Sequence, residues 1–129
     1  MRKQTYPNQP TDDVLEIIKN LIELKRQGKF EDASNGYSKL AEEEKNDTHN
    51  YPYVLKSWAK VLICQGEYDK AIEFLETAAT LFLNSGNKTD TWQCNDQAKT
   101  IRNRYLNRED FIDYVIAVSG GSLDCPKKF

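Results

Sequence analysis

Few residues in this chain are of the types that do chemistry, and those few are scattered. His49 is the only histidine among 129 residues. It stands in a polar stretch, 45–50, where an isolated histidine is ordinarily a solvated surface residue and not a base or a metal ligand. Cys64, Cys94 and Cys125 are odd in number and widely spaced. That pattern suits free thiols in a reducing cytoplasm better than a disulfide framework or a zinc site. Cys64 falls at the end of an apolar stripe, where cysteine is commonly a small packing residue. Glu42-Glu43-Glu44 is a carboxylate run at a helix end, opposing the helix dipole slightly and reading as a solvated face. There is no glycine-rich phosphate loop and no nucleophile elbow. The expectation is a protein with no catalytic residues, no metal and no cofactor, and therefore not an enzyme.

Composition points the same way. Hydrophobic residues make up 39% and charged residues 29%, and the net charge is −2. That suits one soluble helical domain and argues against a general nucleic-acid binder, which would be basic. Arg2 and Lys3 lead into Gln4-Thr5-Tyr6-Pro7, not into an apolar run, so a signal peptide is not expected. Asn46-Asp47-Thr48 and Asn87-Lys88-Thr89 fit the glycosylation pattern, and without a secretory signal both read as coincidence.

Apolar periodicity then sets the elements. Residues 1–10 hold Pro7 and Pro10 and should be loosely ordered. Thr11 is placed to cap a helix carrying Val14, Leu15, Ile17, Ile18, Leu21, Ile22 and Leu24, stopped by Gly28. A second helix runs from Phe30 to Glu44 with Ala33, Tyr37, Leu40 and Ala41 inward, weakened at Gly36 by about 1 kcal/mol relative to alanine. Pro52 suits the first turn of a third, with Leu55, Trp58, Ala59, Leu62 and Ile63 in its stripe. The fourth carries Tyr68, Ala71, Ile72, Leu75, Ala78, Ala79 and Phe82. A fifth starts near Thr89, and a sixth spans about 108–118 before Gly120-Gly121.

The chain repeats itself. Gln27-Gly28-Lys29-Phe30-Glu31-Asp32-Ala33 realigns with Gln65-Gly66-Glu67-Tyr68-Asp69-Lys70-Ala71. In each copy glycine turns the chain, an aromatic fills the space beside the turn, and alanine lets two helices cross closely. These residues resemble the tetratricopeptide repeat family, most closely over 52–84, fairly over 14–44 and weakly over 89–118. The glycines lie 38 positions apart against a family period of about 34, which places an insertion of about four residues in the 45–50 loop. Leu21 is larger than the family's usual residue at its position. The resemblance implies an all-α fold, a short right-handed α-solenoid of about three antiparallel helix pairs. The pairs fall at about 12–44, 52–84 and 89–118 within a domain spanning 11–119, followed by a flexible tail, 120–129.

The same resemblance implies a concave groove lined by the first helix of each pair. It would be formed by Ile18, Ile22 and Lys25, then Tyr53, Lys56 and Lys60, then Gln97, Ile101 and Arg104. Some family members clamp a chaperone's C-terminal carboxylate there; Ile18 and Ile22 stand where that clamp needs polar residues, which argues against it. The expected function is protein–protein interaction, as a cytoplasmic adaptor or scaffold that binds a partner peptide or helix, with Lys56 and Lys60 favouring an acidic segment. Alternatives are a peptide-sensing regulator and an RNA-binding repeat, the latter resting on Lys99, Arg102, Arg104 and Arg108. No membrane association is expected. Ile112 and Ile116 flank the apolar stripe of the sixth helix, and that second apolar surface suggests either a homodimer or a sixth helix tucked back into the groove.

Overall fold

A computed structural model describes residues 9–106. Five α-helices follow in order: α1 (Asp12–Arg26), α2 (Phe30–Glu44), α3 (Tyr51–Cys64), α4 (Tyr68–Asn84) and α5 (Lys88–Ile101). The last runs into one π-helical turn, Arg102–Leu106. The expected all-helical class holds over the described residues, with no β-strand among them. The expected sixth helix, the Ile112 and Ile116 flank, the tail 120–129 and residues 1–8 lie outside them.

Each helix packs on the next in sequence, and α1 also reaches α3. Three helix ends share one geometry. Gly28, Gly66 and Gly86 have φ of 80°, 79° and 82°. In each case the residue after the glycine donates its N–H back to a carbonyl of the last turn: Lys29 to Leu24 at 2.9 Å, Glu67 to Leu62 at 2.9 Å, Asn87 to Phe82 at 2.8 Å. This closure satisfies carbonyls a helix end leaves open, and it needs a left-handed residue.

The core is the predicted set of stripes and more. Ala33, Tyr37, Leu40, Leu55, Ala59, Leu62, Ala71, Leu75, Ala78 and Phe82 are all buried. So are Val54 and Val61, which the single-stripe reading of α3 leaves outside. Between α2 and α3 the apolar contact is pinned by two polar links. The Trp58 indole N–H donates to Ser34 Oγ at 2.8 Å, and the Tyr37 and Ser57 hydroxyls meet at 2.5 Å. Burial pushes the Tyr37 hydroxyl up to about 12, partly offset by Ser57. At the far end, Tyr68 stacks on Tyr105 with centroids 4.4 Å apart, tying the π turn to the start of α4.

Three sequence expectations are corrected. Thr11 stands at the start of α1 but makes no capping bond; its hydroxyl donates to Asp13 Oδ1 at 2.6 Å and accepts from Asn50 Nδ2 at 2.9 Å. The 45–50 stretch is not merely a polar surface loop, because Asn50 is fully buried and its Oδ1 accepts the Thr11 backbone N–H at 2.9 Å. Cys64 is disulfide-bonded, not a free thiol, so the argument from free thiols to a reducing compartment lapses; separation in sequence does not report separation in space. Cys94 is free and buried, as expected; Cys125 lies outside the described residues. Among those residues no helix is long and apolar enough to cross a membrane.

Gly36 has a reason the sequence did not show. A Cβ there would collide with Cδ2 of Leu21 on α1. The large Leu21 is thus matched by the smallest residue opposite. Gly36→Ala should therefore destabilise the protein by about 1 kcal/mol, because overpacking outweighs the gain in helix propensity. In a Leu21→Ala background the same change should stabilise. Denaturant melts of the two singles and the double check this; the same sign in both backgrounds would contradict it.

Candidate functional site

The residues expected to line a groove come from α1, α3, α5 and the π turn, and the structure sorts them into distinct roles. Ile18 and Ile101 are core residues, fully or nearly fully buried. Tyr53 is buried against Phe82, ring centroids 4.8 Å apart, with its hydroxyl accepting from Asn87 Nδ2 at 3.1 Å. Burial, then the Asp90 charge, raise that hydroxyl well above the usual tyrosine range. Arg104 lies 5.2 Å from the Tyr105 ring centre. Ile22 is 40% exposed, a large apolar side chain left open on α1.

Lys56 is neither a solvated surface lysine nor an open groove cation. Its ammonium donates to Asp90 Oδ1 at 2.7 Å and to Gln93 Oε1 at 2.5 Å, and both members of the ion pair are mostly buried. Asp90 is in turn held by Asn87. Asn87 Nδ2 donates to Asp90 Oδ2 at 2.7 Å, and the Asp90 backbone N–H donates to Asn87 Oδ1 at 3.1 Å, which caps α5. Asn87, read from sequence as a helix stop and a chance glycosylation match, is committed to this network. Asp90 and Gln93 were missed; the only signal available was that they lie 34 and 37 positions after Lys56, about one repeat on.

Lys60 sits one turn along α3 from Lys56 and differs from it. It makes no side-chain hydrogen bond or ion pair among the described residues, yet it is largely buried. Desolvation lowers its pKa from the ordinary lysine value, and Lys56 and Lys25 lower it further. Cys94 and Asp90 act in the opposite direction. Charges on α1, α3 and α5 all act on this ammonium; α1 packs on α3, and the Lys56–Asp90 bond joins α3 to α5. Cys94 is pushed up to about 11, chiefly by burial, which leaves almost no thiolate at neutral pH. Gln97, 8% exposed, carries a buried Oε1 with no hydrogen-bond partner.

Of the basic residues noted near α5, Arg102 and Arg104 are engaged within the chain. Arg102 donates to Glu76 Oε2 at 2.6 Å, and Arg108 lies outside the described residues. His49 bonds the Gln9 carbonyl at 2.8 Å and meets Tyr53 edge-on. Among the described residues no group of three or more histidine, cysteine, aspartate or glutamate side chains could hold a metal ion.

No protein-family model, curated protein or solved structure matches this chain. Its reading rests on its own residues.

The Lys56 network makes loss of the charge there a folding mutation. Lys56→Met should cost about 3 kcal/mol, because it strands the buried Asp90 carboxylate. Adding Asp90→Asn should recover part of that loss. Thermal melts of both variants check the coupling; additive losses would show that the pair is not an energetic unit.

Proposed function

We propose that this chain is a protein-interaction module of the tetratricopeptide kind, acting as an adaptor or scaffold. On this reading its helix pairs stack as a short right-handed solenoid, and the face shared by α1, α3 and α5 receives an extended segment of a partner protein. The observation that supports the reading is that α1 packs on α3 and the Lys56–Asp90 bond joins α3 to α5, with Lys60 largely buried and its ammonium without a bonding partner among the described residues. Exposed Ile22 belongs to α1, one turn before Lys25. An apolar side chain open beside lysines offers both halves of a peptide contact, contact area and charge.

The matched turns at Gly28 and Gly66, each followed by a fully buried alanine, Ala33 or Ala71, support the stacking. Side chains, not the fold, set which partner binds. The shape of the face favours an extended segment or a helix over a small metabolite, because its polar groups are spread over three helices.

A displayed library of random peptides, panned against the purified protein, tests the module. Selected peptides should bind about tenfold more weakly to Ile22→Arg, a loss of about 1.4 kcal/mol. They should bind unchanged to Leu83→Arg, which alters a still more open apolar residue on α4. Equal losses at both positions, or peptides insensitive to Ile22, would reject the face.

A further inference from the structure

The structure contains a filled site and, one helical turn away, the same site with one component missing. At the first, Lys56 is held by the Asp90 carboxylate and the Gln93 amide oxygen. Advancing four residues along both helices takes Lys56 to Lys60, Gln93 to Gln97 and Asp90 to Cys94. Residues four apart lie on one face of a helix, stacked one turn above the other. The lysine and the glutamine recur; the carboxylate does not. Its place is taken by a buried, neutral thiol.

The consequences are visible at both remaining members. The Lys60 ammonium has no hydrogen bond or ion pair among the described residues, although the charges of Lys56 and Lys25 oppose its own. The Gln97 side-chain oxygen, Oε1, is likewise buried without a hydrogen-bond partner. A largely buried cation without an anion and a buried amide oxygen without a donor are each costly; with the Gln97 amide turned over, its N–H stands where that oxygen was, and one carboxylate accepts from both side chains.

We propose that Lys60 and Gln97 form a seat for one carboxylate of a partner segment, supplied by an aspartate or glutamate side chain. The ammonium donates to the carboxylate, and the Gln97 amide, whose oxygen and nitrogen exchange places by a half-turn, donates its N–H to the second oxygen. Lys56 takes no part, because Asp90 already neutralises it. The protein source of the carboxylate rests on the interaction-module reading; the seat itself does not. A singly charged carboxylate fits better than phosphate, since one free ammonium and one amide stand where Asp90 keeps a negative charge nearby.

The test uses the full chain, with its lysine side chains observed individually by NMR. The probes are the blocked amino acids N-acetyl-glutamate amide and N-acetyl-glutamine amide. The expected result is a saturable shift of the Lys60 side-chain signal with the glutamate probe, at a dissociation constant on the order of millimolar, as suits so small a ligand. The glutamine probe and the Lys56 signal should give no such response. Gln97→Leu should retain the folded spectrum and lose the saturable response at Lys60. No shift at Lys60, an equal shift with both probes, or a response at Lys56 in its place would overturn the seat. Peptide binders that use Ile22 but show no acidic preference would also overturn it while leaving the module standing. Carboxylate binding at Lys60 without any peptide binder would uphold the seat and remove the module.

Discussion

A helix with apolar side chains around most of its circumference cannot stand until other helices cover it, and α3 is such a helix. Pro52, Tyr53, Val54, Leu55, Trp58, Ala59, Val61, Leu62 and Ile63 are all buried along its length. One neighbour covers only one stripe. α3 therefore requires α2 on one flank and α4 on the other, with α1 closing a third side. Each fully buried side chain of this size contributes about 1.5–3 kcal/mol relative to exposure, before the entropy of ordering is set against it. The aromatic residues follow from the same demand: Trp58 reaches both Tyr37 on α2 and Phe74 on α4, and Tyr53 packs on Phe82.

The residues of α3 that are not apolar decide what the covered helix can do. Ser57 and Trp58 fix its register on α2 through Tyr37 and Ser34. Lys56 fixes its relation to α5 through a buried ion pair, which specifies position more surely than it adds stability. Lys60 has no such obligation. A helix placed by its other contacts can hold one cation partly buried and unpaired, and that is the condition under which a charge becomes available to a partner. Of two lysines one turn apart, Lys56 is thus committed to placing the helix, while the Lys60 ammonium has no bonding partner among the described residues and, on the proposed reading, is the one left for a partner.

Much of this was legible in the sequence, for physical reasons. Helical period, glycine stops and the Gln-Gly-x-aromatic repeat are local signals, and they located five helices to within a residue or two. Long-range pairing was not legible. Asn50 sits in a polar run that looks like a surface loop, yet it holds Thr11 across 39 positions. Lys56 looks like an exposed groove lysine until Asp90 is placed beside it. Gly36 reads as a flaw in α2 and Leu21 as an oversized residue in α1; only their contact shows that each explains the other. The disulfide at Cys64 was hidden likewise, because cysteine count and spacing do not report proximity. Of the nine groove positions, Ile18 and Ile101 were drawn in because a helical stripe wide enough to face two neighbours does not say which side chains stay open.

If α3 is the element on which the others depend, its amides should open last. Native-state hydrogen exchange measured across a denaturant series tests this directly. The amides of Leu55, Ala59 and Leu62 should exchange only through global unfolding, with the steep denaturant dependence that large surface exposure gives. Those of α1 and of the last turn of α5 should exchange earlier through local openings. Amides of α3 that exchange as readily as those of α1, or that open without denaturant dependence while α1 stays protected, would contradict the account.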